Sequence, residues 1–222
     1  MGFIETYLKK KPEDVAKQDI QAFISRRVEE NLNLDYKDIR AYSDFDELSK
    51  DVSAFANSEG GLILLGISQE TIKDKEEIVR IFPKEITWGN EALSGEKLED
   101  NLISRIRPRV DFRIFPIREG NGSMNVIFLI DIPQSDNPPH MASDNRYYRR
   151  LNFRRVPMEH YEVSDFFGRR KRPFLSLQMR FMSVIIENLE YRFTLRFFIQ
   201  NKGNTVACLL YTSPSPRDRT RS

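Results

Sequence analysis

The segment Gly60-Gly61-Leu-Ile-Leu-Leu-Gly66 constrains the fold more than any other part of the chain. It is a continuous apolar run without polar alternation, which predicts a strand covered on both faces. The residues before it read as a helix over Phe45–Asn57, with Asp44 as N-cap and Leu48, Val52 and Phe55 on the buried side. Ser58-Glu59-Gly60-Gly61 must end that helix, because consecutive glycines supply the left-handed geometry of a helix C-terminus.

The flanking segments extend this pattern. Lys11-Pro12-Glu13-Asp14 opens an apolar periodicity that predicts a helix from Pro12 to about Glu30. Leu34 to Ile39 reads as a short strand. Gln69 to Gly95 is polar and reads as irregular, with a short strand at most. Lys97–Arg107 is a further helix, with Ser94 as cap and Pro108 as its end. Asp111–Arg118 and Asn125–Ile132 flank Glu119-Gly-Asn-Gly-Ser123 as a hairpin. Arg146–Arg155 looks extended, and Met158–Arg169 helical. The alternation of elements predicts an α+β domain with a mixed sheet packed on helices. From Phe174 the pattern turns to alternating strands, the truncated start of a β-sandwich-like domain. The expected divisions are 1–19, a helical extension; 20–172, the α+β domain; 173–207, the truncated β domain; and 208–222, a tail.

Composition excludes several classes of protein. The 222 residues carry 35 basic and 33 acidic side chains, so attraction to phosphate must come from local clustering. No apolar run approaches the ~20 residues of a membrane span. One cysteine gives neither a disulfide framework nor a thiolate metal cage, so a reducing, cytoplasmic setting is expected. Cys208 to Asp218 resembles a conceptual translation of a transposase-type sequencing adapter. Residues from Cys208 onward are accordingly set apart from functional reasoning, and the natural protein is expected to continue past Ala207, this chain being a metagenomic fragment. The formal charge of +2 lies in that tail, where Arg217, Arg219 and Arg221 face only Asp218.

Two constellations could carry chemistry. Asp35 and Lys37 alternate with Leu34 and Tyr36, so in a strand they share one face. With Glu30 nearby they could hold a divalent metal and stabilise a phosphate, or form no more than a solvated strand edge. The second is Arg146-Tyr-Tyr-Arg-Arg-Leu-Asn-Phe-Arg-Arg155, five arginines without an intervening acid. Arg146, Arg149, Arg150, Arg154 and Arg155 could grip phosphates while Tyr147, Tyr148 and Phe153 offer stacking faces. Alternatively the aromatics point inward and the arginines pair with acids elsewhere. Arg105, Arg107 and Arg109 could extend the patch, as could Arg169-Arg-Lys-Arg172. His140 reads as a loop anchor and Trp88 as packing. No G-x-x-x-x-G-K-S/T or G-x-G-x-x-G phosphate cradle is present.

Several of these segments, taken in order, resemble the Schlafen-type AlbA-like domain, a family of bacteria and archaea associated with DNA binding and ATP binding. The matching residues are Glu30, Asp35-Tyr36-Lys37, Ser53-Ala-Phe-Ala-Asn57, Gly60-Gly61, Gly66, Ser135-Asp-Asn-Pro-Pro-His140 and Tyr147-Tyr-Arg149, over roughly Ile20 to Gly168. The resemblance implies a nucleic-acid-binding module, DNA or RNA, of a regulatory or defence protein. It also implies an alternative, a metal-dependent endoribonuclease with Glu30 and Asp35 as ligands and Lys37 beside them. The family's third carboxylate falls at Ser68-Gln69 here, with Glu70 displaced by one, so the metal set would be Glu30 and Asp35 with Glu70 as the substitute third ligand. ATP as a regulator is a second alternative, resting on the resemblance alone. Nucleic acid is the expected partner; a protein partner through the β-rich end, or a homo-oligomer, would cover unpaired edges there that otherwise predict poor solubility.

Overall fold

The computed structural model describes residues 2–73, 77, 79–90, 92–120, 122–169, 175–187 and 190–202. It divides into two units, Met1–Val163 and Ser164–Ser222. The segment 170–173 and the tail from Cys208 lie outside the described residues, and with them the expected division at 172/173 and the cations Arg170 to Arg172.

The first unit is built around a four-stranded sheet. Its strands are β1 (Leu34–Lys37), β2 (Gly60–Leu65), β5 (Arg113–Arg118) and β6 (Val126–Pro133), in the order β1-β2-β6-β5. β1 and β2 run parallel, joined by α3 (Phe45–Ala56), whereas β6 is antiparallel to both β2 and β5. A parallel pair needs a crossover of this kind, and α3 supplies it. All six residues of β2 are buried. Leu62 and Leu64 join Leu34, Tyr36, Ile127 and Leu129 on one face, under α1 (Phe3–Leu8) and α2 (Lys17–Ser25). Ile63 and Leu65 join Phe128, Ile130 and Ile132 on the other, under α3 and α4 (Gly95–Arg105). The lack of alternation in β2 thus reflects two cores, one on each face of the sheet.

Asp44 caps α3, its carboxylate accepting from the Glu47 N–H at 3.0 Å, and Ser94 caps α4 in the same way. The glycines do not form the C-terminus of α3, which ends at Asn57 in right-handed geometry; they open β2, where Gly60 adopts φ +76° and Gly61 fits where nothing larger would. A Cβ on Gly61 would sit 2.4 Å from the Phe55 ring and 2.7 Å from the Asn33 carbonyl.

Two further expectations are corrected. The predicted helix from Pro12 to Glu30 is broken: Pro12–Asp14 is a single 3₁₀ turn, Val15 and Ala16 are extended, and α2 begins only at Lys17. The break is capped locally, since Asp19 accepts from the Ala16 N–H at 2.9 Å. The polar stretch after Gly66 is not irregular but forms an antiparallel hairpin of β3 (Ile67–Lys73) and β4 (Val79–Ile86). Much of that hairpin is exposed, so charged residues replace the apolar alternation by which strands are recognised.

The extended segment over Arg146–Arg155 is a second small hairpin, β7 (Tyr148–Leu151) with β8 (Arg154–Pro157), turning at Asn152 with φ +54°. It is followed by α5 (His160–Arg169). The second unit contains one described hairpin, β9 (Leu175–Glu187) paired antiparallel with β10 (Glu190–Asn201).

Gly61→Ala tests the close approach of α3 and β2. Ring and carbonyl cannot both yield, so the substitution is expected to destabilise by about 1–3 kcal/mol, read as a lowered denaturant midpoint with unchanged m. A midpoint within error of the parent would show that helix and strand have room for a methyl group between them.

Candidate nucleic-acid interface

The motifs scattered along the sequence meet at the C-terminal end of α3. Asn57 donates from Nδ2 to the carbonyls of His140 and Tyr148, both at 2.9 Å, and its Oδ1 accepts from the His140 N–H at 2.6 Å. The His140 ring is held in turn by the Pro108 carbonyl and Ser135 Oγ. One buried asparagine therefore fastens the Pro-Pro-His loop and the β7–β8 hairpin to the helix. His140 is the loop anchor expected of it.

Along the side of α3 that faces the hairpin runs a buried ionic cluster. Asp35 and Lys37 project from β1 onto the α3 side while Leu34 and Tyr36 enter the opposite core, as the alternation predicts. Lys37 Nζ lies 2.6 Å from Asp35 Oδ2 and 3.5 Å from Asp51 Oδ2 of α3. Arg155 of β8 reaches back to Asp51 Oδ1 at 2.8 Å and to Glu47 Oε2 at 2.6 Å, with its guanidinium over the Tyr148 ring. Arg150 of β7 lies 3.5 Å from Asp35 Oδ1, donates to the Asn31 carbonyl at 3.1 Å, and stacks 4.4 Å from the Phe55 ring centroid. Its side chain is 1% exposed. Sequence reasoning missed Asp51 altogether, although it lies three residues after Leu48 and four before Phe55, on the stripe that the helix buries.

The five arginines consequently divide. Arg150 and Arg155 are committed to the cluster, and Arg149 pairs with Glu162 of α5 at 2.7 Å. For these three, the alternative of inward pairing describes the geometry. Arg146 and Arg154 are exposed, and among the described residues neither has a carboxylate within ion-pair distance. Tyr148 is buried, its hydroxyl donating to Asp144 at 2.6 Å, so it offers no stacking face; Tyr147 and Phe153 are half-buried, and Arg154 lies over the Phe153 ring. Arg107 is exposed and is tied by backbone bridges through Met141 to Tyr147, which brings it to the hairpin's base. Arg105 pairs with Asp46 instead, and Arg109 lines a separate cleft beside Phe3 and Asp131. Between β1, α3 and the hairpin opens a cleft of about 580 Å3, lined by Lys37, Asp51, Arg150 and Arg155 and by Arg40, Phe153 and Arg154 among others.

The carboxylates considered for a metal do not form a ligand set. Glu30 is buried and its Oε1 accepts from the Tyr36 N–H at 2.8 Å. Gln69, with its amide nitrogen turned toward Glu30, donates to the same oxygen at 3.0 Å and to the Tyr36 carbonyl at 3.2 Å. A neutral amide thus stands beside Glu30 at the position where the family pattern has an acid. Burial and the neighbouring Asp35 charge push the Glu30 carboxyl up to about 8. Asp35 faces Lys37 and Arg150, and Glu70 turns away to pair with Arg27 at 2.5 Å. The set Glu30, Asp35 and Glu70 therefore does not fit a divalent ion, and no group of three or more metal-ligating side chains is found among the described residues.

This geometry belongs to an α+β domain whose strand, helix and loop motifs clasp one another. A family model described as Schlafen, AlbA_2 matches residues 30–159, and the chain belongs to that family. No curated protein matches it. Among solved structures, the crystal structure of the DIP2311 protein from Corynebacterium diphtheriae is similar at 15% identity and a TM-score of 0.41, over 66% of this chain and 27% of that one. The N-terminal domain of a putative ATP-dependent DNA helicase RecG-related protein from Nitrosomonas europaea is similar at 16% identity and a TM-score of 0.35, over 55% of this chain and 75% of that one. The chain spans about a quarter of the length of the first of these. No helix among the described residues is long and apolar enough to cross a membrane.

The raised Glu30 carboxyl has a measurable consequence. The folded state holds a proton there that the unfolded chain releases near pH 4.5, so this contribution is complete below that pH and is lost as pH rises toward about 8. Stability is expected to fall across this window, with Glu30 contributing a slope of at most about 1.4 kcal/mol per pH unit. Glu30→Gln keeps the acceptor for the Tyr36 N–H and should flatten the profile. Identical profiles for both proteins would show that Glu30 is ionised in the fold.

Proposed function

We propose that the domain is a nucleic-acid-binding module that contacts phosphate through the outer edge of the β7–β8 hairpin. Arg146 and Arg154 make the contacts, Arg107 extends them at the hairpin's base, and Phe153 beside Arg154 offers an aromatic edge to a base. The observation that carries the reading is the presence of exposed arginines that have no acidic partner among the described residues, on and just before a hairpin whose other arginines are all neutralised. Guanidinium groups left free in this way match phosphate oxygens, and a formally near-neutral chain gains nothing from bulk charge. Family membership supports the same reading. In it, Arg149, Arg150, Arg155 and Lys37 present the hairpin and do not themselves hold phosphate.

Fluorescence anisotropy with single- and double-stranded DNA and RNA probes, from 50 to 300 mM salt, tests the assignment. Affinity is expected to fall linearly in log–log form. Arg146→Ala combined with Arg154→Ala should reduce the slope by about 0.7–0.9 for each phosphate no longer neutralised. Arg150→Met should lower stability while leaving the slope of the folded fraction unchanged. Salt-independent binding, or none to any probe, would remove the reading.

A further inference from the structure

The cleft between β1, α3 and the β7–β8 hairpin, about 580 Å3 in volume, is larger than a phosphate needs and lies within the range of sites for small organic groups. Phe153, half-buried beside the turn of the hairpin, is the one aromatic side chain that lines it among the described residues, and Ala41 and Leu48 add apolar wall. The charges of the lining are nearly all spent. Of its four acids, Asp35 and Asp51 hold the buried cations, Glu47 holds Lys50 and Arg155, and Asp44 accepts the N–H that it caps. Of its five cations, Lys37, Arg150 and Arg155 belong to the buried cluster, and Arg40 is held by both carboxylate oxygens of Asp38. Arg154 alone of the five has no carboxylate within ion-pair distance among the described residues, and its guanidinium lies 5.2 Å from the centroid of the Phe153 ring. The lining thus holds one surplus positive charge, beside its one aromatic ring.

We infer that the cleft takes one unpaired nucleotide of a single-stranded nucleic acid, its phosphate on Arg154 and its base on the Phe153 ring. The inference rests on the nucleic-acid reading above and names the substrate class of that site. One spare guanidinium matches one phosphate, and the aromatic ring beside it matches one base, whose π-face stacks without regard to sequence. A base inside a duplex is paired and stacked, so it enters a cleft between a helix and a hairpin only when its strand is unpaired. A free nucleotide carries the same chemistry. What favours a strand is that two further exposed arginines lie outside the cleft, Arg146 just before the hairpin and Arg107 at its base, where the neighbouring phosphates of a continuous strand would meet them.

Fluorescence anisotropy of the full chain with a labelled single strand, and with the duplex made from it, tests the inference at fixed salt. Phe153→Leu is expected to weaken the single strand by about 5- to 150-fold and to leave the duplex within about twofold. The salt slope should not change, since the residue carries no charge, and Phe153→Trp should retain the affinity. Because leucine could also shift the hairpin, the unmodified chain supplies a second measurement. A single strand substituted throughout with 5-iodouracil should photocross-link to Phe153, located by mass spectrometry, and its duplex should not. Equal losses for strand and duplex, no loss for either, or cross-links only outside the cleft overturn the inference. Displacement of the strand by a free nucleoside monophosphate below about 100 μM overturns it too, by assigning the cleft to a free nucleotide. The phosphate reading fails differently: if no probe binds, or binding ignores salt, both fall, whereas binding with the expected slope but no contribution from Phe153 removes only this inference.

Discussion

Asp51 sits buried on α3 between two cations that arrive from different parts of the chain, Lys37 from β1 and Arg155 from β8. An isolated carboxylate in that position would be strongly disfavoured, and burial does push its carboxyl up against the pull of the two cations. The cations offset part of this cost, and do so only when strand, helix and hairpin are all in place. Asp35, shared between Lys37 and Arg150, repeats the arrangement one step along the cleft. Together these acids determine how the β7–β8 hairpin lies on the helix, and hence which of its arginines turn inward.

The orientation of the hairpin decides which arginines stay exposed. A run of five arginines looks uniform, yet its members alternate along two short strands and around a turn. Arg150 and Arg155 face the acids of β1 and α3, Arg149 faces α5, and Arg146 and Arg154 are left at the two ends of the segment. The buried members serve the exposed ones by fixing the backbone that presents them. The carboxylates whose spacing suggests a metal site have the same structural character: Glu30 receives a backbone N–H, and Asp35 receives cations.

Much of this was legible in the sequence where a single local rule governed the outcome. The unbroken apolar run of β2, the caps at Asp44 and Ser94 and the β5–β6 hairpin all follow from burial, hydrogen bonding or backbone geometry within a few residues, whereas the glycine pair expected to cap α3 opens β2 instead. The alternation in β1 placed Asp35 and Lys37 on one face correctly. What escaped was set by partners distant in the chain. Asp51 is about a hundred residues from Arg155, and its helical spacing with Leu48 and Phe55 marks it as buried without naming that partner. The β3–β4 hairpin was hidden by its exposure, and the Pro12 segment by an apolar periodicity that continues across a backbone break. The split among the arginines needed the positions of Glu47, Asp51 and Glu162, which no reading of the run itself contains.

A double-mutant cycle on Asp51 and Arg155 measures the central element most directly. With Asp51→Ala, Arg155→Met and the double variant compared by denaturant unfolding, the account predicts a coupling energy of about 1–3 kcal/mol, the double variant being less destabilised than the two single changes added together. Additivity within about 0.3–0.5 kcal/mol would mean that the pair does not hold the hairpin, and the division between buried and exposed arginines would lose its physical basis.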